Sequence, residues 1–135
     1  VLAAAGLERL DLASRASQVF EPDEMVPAVG QGVLAVETRA EDVELIELLA
    51  RLDDRATRVA MTAERAFLRR LGAGCRLPVG AYGELEGDAL SLRGMLADDA
   101  GRIVHGTVTG DSSEAVELGY ELADRLLAAS MGPTK

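Results

Sequence analysis

Apolar residues between positions 55 and 72 recur at steps of three and four, the spacing that places side chains on one face of an α-helix. The set consists of Ala56, Val59, Ala60, Ala63, Ala66, Phe67 and Leu71. We predict a helix whose apolar face lies in the core and which ends at Gly72, because glycine readily adopts the left-handed backbone of a helix C-cap. A second helix is predicted after the N-cap cluster Asp111-Ser-Ser-Glu114, since Leu118, Leu122 and Leu126 follow on one side.

Three short segments between these helices have the composition of strands. They span residues 78–85, 90–96 and 103–109, and short turn sequences containing Gly87 and Gly101 separate them. Parallel neighbours would need a crossover of a dozen or more residues, so this close spacing predicts an antiparallel meander. The predicted order is therefore α-β-β-β-α, an α+β domain in which the helices pack on one face of a three-stranded antiparallel sheet.

The N-terminal part of the chain carries weaker signals. Residues 1–10 are predicted to form a helix, and residues 14–27 a surface connection. The sequence Gly30-Gln31-Gly32 lacks the third glycine of a dinucleotide-binding fingerprint, so it favours a turn over a phosphate loop. It leads into residues 33–36, which are predicted to form a short buried strand. A helix over residues 41–52 is predicted to bury a broad apolar face. That face comprises Leu45, Ile46, Leu48, Leu49 and Leu52.

Composition limits what the chain can do. The 135 residues are 48% apolar, enough to bury a core, and their net charge of −9 argues against nucleic acid or an anionic membrane as the main partner. The single cysteine excludes an internal disulfide, and one histidine without paired thiols leaves no zinc-site spacing, so no metal site is predicted. That histidine, His105, is expected at the surface or at a strand edge. No apolar run approaches the roughly 20 residues that a bilayer needs. We expect a cytoplasmic protein and, because the chain opens on Val1, a fragment.

Cys75 is the first candidate for chemistry. A lone cysteine is most often an inert, small apolar residue, but this one lies in a glycine-flanked loop and not on an apolar helix face. No His or Asn is spaced as a partner within the same block, which argues against a thiol hydrolase. Arginines on the preceding helix form a row that leads towards the loop. Judged by helical spacing alone, such a row is more often a solvent-exposed face whose arginines pair with Asp or Glu. The row comprises Arg55, Arg58, Arg65 and Arg69.

Two blocks of sequence stand out, together with the spacing between them. One is Thr62-Ala-Glu-Arg-Ala-Phe-Leu-Arg-Arg-Leu-Gly-Ala-Gly-Cys-Arg-Leu-Pro-Val-Gly80, and the other is Leu12-Ala-Ser-Arg15 followed by Pro27-Ala-Val-Gly-Gln-Gly-Val-Leu-Ala-Val-Glu37. They resemble the two strong signatures of the porphobilinogen deaminase family, also called hydroxymethylbilane synthase. Ala73 departs from the pattern, where the family more usually has glycine. The likeness covers the C-terminal portion of a typical member, somewhat less than half of it.

The resemblance implies an organisation and an activity. Residues 1–32 would be the tail of a second α/β domain with its hinge, residues 33–52 the tail of a first α/β domain, and residues 53–135 the C-terminal cofactor-bearing domain. The family polymerises four porphobilinogen molecules, with loss of ammonia, to give hydroxymethylbilane for tetrapyrrole and haem biosynthesis. Its catalytic aspartate belongs to an N-terminal part that this chain lacks, so the fragment is expected to be inactive by itself. Its partners would be the N-terminal domains of the same enzyme, in a monomer.

The resemblance also implies roles for four residues. Cys75 would hold a dipyrromethane cofactor as a thioether, with Gln31 and Arg65 as further cofactor contacts. Arg9 and Arg65 would contact the carboxylates of the substrate, for which arginine is a suitable partner. Gln31 is equally well explained as a residue that caps its turn. The alternative function is a non-catalytic, small α+β ligand-binding or regulatory domain, in which Cys75 is incidental and the arginines face solvent.

Overall fold

Helices and a single sheet make up the regular structure of the computed structural model, which describes residues 1–72, 78–98 and 101–131. The α-helices are α1 (Ala4–Arg9), α2 (Val43–Leu49), α3 (Arg55–Arg70) and α4 (Ala115–Ser130), and the strands are β1 (Val79–Glu86), β2 (Ala89–Ala97) and β3 (Ile103–Asp111). Short 3-10 helices lie at Ala13–Arg15, Ala50–Leu52 and Ser112–Glu114.

The sheet is an antiparallel meander in the order β1-β2-β3. Glu86 pairs with Ala89, so β1 and β2 are joined by a tight turn of two residues, and Ala97 pairs with Ile103 where β2 passes to β3. Each strand lies where the sequence pattern predicts it, to within two residues at either end. The predicted α+β class and the α-β-β-β-α order are confirmed.

Helix α3 begins and ends as its sequence predicts. The Asp54 carboxylate accepts a hydrogen bond from the backbone N–H of Thr57 at 2.7 Å, which satisfies one of the free amides of the first turn. Gly72 follows the helix with a φ of +63°, the left-handed conformation expected of its C-cap. The C-terminal end of α3 is therefore fixed immediately before the segment that contains Cys75.

The core lies between the inner face of the sheet and helices α3 and α4. Its largest fully buried side chains are Phe67, Leu90, Leu92, Leu122 and Leu126. A row of glycines on the inner face lets α4 approach closely, because an added Cβ at each position would come within 2.8–2.9 Å of a leucine methyl carbon of α4. The glycines are Gly94, Gly106 and Gly110, and the leucines that cover them are Leu122, Leu126 and Leu118.

Two predictions for the N-terminal part are wrong. Residues 33–36 do not form a strand, and Leu34 is 90% exposed. Helix α2 does form, but its predicted broad apolar face is not buried, since Ile46 is 40% and Leu48 57% exposed. An apolar face becomes core only when another layer packs against it, and among the described residues no strand or helix covers these segments.

Candidate functional site

Helix α3 carries five arginines, and three of them are paired with carboxylates from elsewhere in the chain. Nitrogen–oxygen distances of 2.8 Å join Arg55 to Asp88, Arg58 to Asp53 and Arg70 to Asp124. The Arg70–Asp124 pair makes two hydrogen bonds and connects α3 with α4. For Arg55 and Arg58 the interpretation as a solvated, acid-paired face is therefore confirmed.

The other two arginines, Arg65 and Arg69, differ from these three. Both are exposed, and within the described residues neither side chain has an ion pair or a hydrogen bond. They stand four residues apart, so they lie on the same side of α3, and with Leu68 and Gly72 they line a shallow depression of about 260 Å³. Two unpaired guanidinium groups at this spacing can each grip a carboxylate through two parallel hydrogen bonds.

Gln31 lies in a turn that its flanking glycines make. Gly30 and Gly32 have φ angles of +74° and +84°, so the prediction of a turn is confirmed. The backbone N–H of Gln31 donates to the carbonyl oxygen of Ala28 at 2.9 Å, and its side chain is exposed. The side chain lines an open, mainly apolar cleft of about 930 Å³, in which Arg15 is the one charged lining residue within the described parts of the chain.

Glu64 connects this turn to the C-terminal unit, which consists of α3, the sheet and α4. The sequence analysis did not single this residue out. Its side chain is 6% exposed and accepts backbone hydrogen bonds from Gly30 at 2.8 Å and from Gly83 at 2.9 Å. Burial raises the pKa of Glu64 above the ordinary carboxyl value, and the two amide donors oppose part of that rise. Helical spacing was the available signal, because position 64 falls on the same face as Ala60 and Phe67.

The remaining candidates are Arg9, His105 and Cys75. Arg9 ends α1 with an exposed side chain, and among the described residues that line the cleft α1 contributes Ala4 and Leu7 and not Arg9. His105 is exposed on β3, as predicted. Cys75 lies outside the described residues, three positions beyond Gly72. The geometry thus brings the Gln31 turn onto α3, the helix that carries Arg65, and leaves Arg9 separate.

Comparison with known proteins shows which family the chain belongs to. A family model described as the C-terminal domain of porphobilinogen deaminase matches residues 58–128. The chain belongs to the porphobilinogen deaminase family. A second model, described as the dipyromethane cofactor binding domain of porphobilinogen deaminase, matches residues 1–47. Arg9 and Gln31 fall in the second match, and Arg65 and Cys75 fall in the first.

Similar curated proteins have the same name. The porphobilinogen deaminase of Roseiflexus sp. (strain RS-1) is 58% identical over 127 residues, which is 94% of this chain and 42% of the relative. The porphobilinogen deaminase of Roseiflexus castenholzii is 55% identical over 96% of this chain and 43% of the relative. That of Syntrophus aciditrophicus is 51% identical over 94% of this chain and 42% of the relative. The chain therefore spans less than half the length of the porphobilinogen deaminases it matches.

Family membership bears on the predicted chemistry. Porphobilinogen deaminases are transferases of tetrapyrrole biosynthesis, and the description of the second family model supports a dipyrromethane cofactor. Within the described ranges, no group of three or more His, Cys, Asp or Glu side chains is arranged to hold a metal ion. None of the helices in those ranges combines the length and the apolar character needed to cross a membrane.

Proposed function

We propose that this chain supplies the cysteine anchor and part of the carboxylate-binding surface of a porphobilinogen deaminase. In this proposal Cys75 holds dipyrromethane through a thioether bond to its Sγ atom. Arg65 binds cofactor and substrate carboxylates, Gln31 contributes an amide to the cofactor, and Arg9 contributes a second substrate contact. The substrate of the whole enzyme is porphobilinogen, and its product is hydroxymethylbilane. A cytoplasmic location and a monomeric whole enzyme are part of the same proposal.

The observation that carries the proposal is the difference among the arginines of α3. Three are neutralised by acids, including Arg70 at the very end of the helix, whereas Arg65 and Arg69, in its last two turns, are exposed and have no acid partner within the described residues. In a chain of net charge −9, acids for pairing are plentiful. Unpaired guanidinium groups at this end are therefore well suited to bind a ligand that brings its own negative charge.

The donor set fits a dipyrromethane. Each of its two pyrrole rings carries acetate and propionate, so the group presents several carboxylates, and Arg65 and Arg69 can bind these in the bidentate manner that lysine cannot reproduce. When bound, the cofactor supplies the acceptor to which pyrrole units are added. The residues of this chain hold and orient it: arginine neutralises carboxylate charge, and the exposed side-chain amide of Gln31 offers an NH2 group with two donors and a carbonyl oxygen that accepts. We assign the catalytic carboxylate to a part of the enzyme outside this chain.

The anchor and the arginine can be tested together by intact mass. The chain would be joined to the remaining length of the Roseiflexus sp. (strain RS-1) relative, and each purified protein weighed. We expect a discrete mass increment in the unsubstituted protein and none in Cys75→Ser. Arg65→Ala should lower the fraction of chains that carry the increment, because losing a hydrogen-bonded charged pair weakens binding of the cofactor by about tenfold to a hundredfold before the thioether forms. Arg65→Lys should recover only part of that loss, because the planar fork is absent.

Arg58→Ala is the matched control, since it removes a guanidinium group from the same helix but one that pairs with Asp53. If Arg65→Ala retained as much cofactor as Arg58→Ala, Arg65 would be only part of a solvated face. The 135-residue chain by itself should consume porphobilinogen no faster than a protein-free blank. Turnover above that blank would contradict our placement of the catalytic carboxylate outside this chain.

A further inference from the structure

Glu64 is the one charged residue that is buried within the described ranges. A carboxylate withdrawn from water is destabilising unless hydrogen-bond donors surround it. Both oxygens of Glu64 meet this requirement with backbone amides, because Oε2 accepts from Gly30 and Oε1 accepts from Gly83. The two donors belong to distant segments, since Gly30 precedes Glu64 by 34 residues and Gly83 follows it by 19.

The Gly83 amide belongs to the outer edge of the sheet. Strand β1 pairs only with β2 in the described sheet, so the amides along its other edge have no neighbouring strand to bond to. The amide of Ala81 donates to the carbonyl oxygen of Pro27 at 3.0 Å, and the next outward amide, that of Gly83, donates to Glu64. The segment that contains Pro27 thus covers one edge amide, and the Glu64 carboxylate takes the next.

Close packing holds the same segment in place. A Cβ added to Gly80 would lie 2.7 Å from the carbonyl oxygen of Pro27, and one added to Gly30 would lie 2.9 Å from the terminal methyl of Met61. At Gly80 the neighbour is backbone and leaves no room for a side chain, whereas at Gly30 it is the φ of +74° that favours glycine. The turn therefore rests directly on β1 and α3, and its hydrogen bond to Glu64 fixes the position that precedes Gln31.

We propose that Glu64 is a positioning residue, which holds the Gln31 turn on α3 and β1 and so fixes Gln31 relative to Arg65. The inference rests on the proposed function in treating Gln31 and Arg65 as ligand contacts. The carboxylate suits this task because both of its oxygens accept. A glutamine would place an NH2 donor against one of the two amide donors, and an aspartate would be one methylene shorter.

Amide hydrogen exchange in the 135-residue chain tests directly whether the Glu64 carboxylate holds the Gln31 turn. In Glu64→Gln we expect the Gly30 and Gly83 amides to exchange about tenfold faster or more, relative to a core amide such as that of Leu92. Glu121→Gln is the control, because Glu121 is an exposed carboxylate that pairs with Arg125 on α4. Unchanged protection at Gly30, or an equal acceleration at every amide, would overturn the inference.

A measurement on the unsubstituted chain covers the case in which Glu64→Gln does not fold. The proton shifts of the Gly30 and Gly83 amides should titrate with the same midpoint as the side-chain carboxyl carbon of Glu64, because both amides donate to that group. Midpoints that differ from that of Glu64 would overturn the inference without any substitution.

Titration with a free dipyrromethane that carries acetate and propionate side chains then separates positioning from stability. In the 135-residue chain we expect Glu64→Gln to weaken the response of the Gln31 side-chain amide by about fivefold to tenfold, with Glu121→Gln unchanged. If exchange at Gly30 accelerated but the Gln31 response equalled that of the unsubstituted chain, the positioning role would be overturned and the proposed function would stand. If neither Gln31 nor Arg65 responded in the unsubstituted chain, the proposed binding surface would fail. The exchange results would still support the role of Glu64 in holding the turn through the Gly30 and Gly83 amides.

Discussion

Helices α2 and α3 show how little the apolar content of a segment says about its burial. Five of the seven residues of α2 are apolar, yet none of them is buried, whereas α3 is rich in arginine and buries Ala63 and Phe67 completely. The same contrast holds more widely, since no residue in positions 1–52 is buried. The difference lies in the partner layer, because α3 packs against α4 and the sheet.

A short segment is the exception within the N-terminal part. The carbonyl oxygen of Pro27 and the amide of Gly30 bond to the C-terminal unit, and Val29 packs against its core. Asp23 adds an ion pair to Arg93 on β2 at 3.1 Å. The structural division between the two regions is therefore less sharp than the predicted boundary at residue 53, which remains a prediction.

The two phenylalanines of the chain give the strongest test of this comparison. Phe67 is completely buried and Phe20 is 46% exposed. Phe67→Ala should lower the free energy of unfolding by about 3–5 kcal/mol, because it leaves a cavity in a packed core. Phe20→Ala should lower it by less than about 0.5 kcal/mol. Denaturant titrations of both variants measure the difference, and equal losses would show that the N-terminal part also contributes a core.

Truncation should have the next largest effect. A chain beginning at Glu21 keeps the contacts of Pro27 and Gly30 and should unfold with the midpoint of the full chain. A chain beginning at Asp53 should still unfold cooperatively, because three strands and two helices close its core, but with about 1–3 kcal/mol less stability through loss of the hydrogen bonds at Glu64 and Ala81. Circular dichroism during denaturation distinguishes these cases. Random-coil spectra from the shorter chain would place the boundary before residue 53.

The smallest expected effect concerns the exposed ion pair between α3 and α4. The hydrogen bond from Arg70 lowers the pKa of Asp124 below its ordinary value of 3.8. Its stabilising contribution is therefore present above that value and is lost as the pH falls through the lowered pKa of the folded state. The stability difference between the unsubstituted chain and Asp124→Asn should be small at pH 7 and should shrink below pH 3.8. A difference that does not change with pH would show that the pair contributes nothing through charge.

The sequence predicts the C-terminal unit well because its signals are local. Helical period gives α3 and α4, short turns give the meander, and Asp54 and Gly72 mark the ends of α3 through interactions within a few residues. Two predictions for the N-terminal part are wrong because they depended on contacts that local sequence does not determine. Leu34 and its neighbours have the composition of a buried strand, but burial needs other strands beside them, and local pattern does not supply those.

The candidate site is predictable only in part. Motif resemblance selects Gln31 and Arg65, but it does not show which arginines of α3 are already paired. That distinction depends on partners such as Asp88 and Asp124, which lie more than 30 residues away along the chain. Glu64 was missed because a charged residue on an apolar face counts against burial unless its distant amide donors are known.

The glycine row under α4 has a consequence for the order in which the molecule can form during synthesis. The meander needs only neighbouring segments, so β1, β2 and β3 can pair as soon as residue 111 has left the ribosome. Helix α3 can cover part of their inner face, since Phe67 lies against Gly94, but the part around Gly106 and Gly110 remains open to water until α4 emerges. The core is thus completed by the last helix to be made, and a nascent chain should become resistant to proteolysis only after about Leu126 is free to dock.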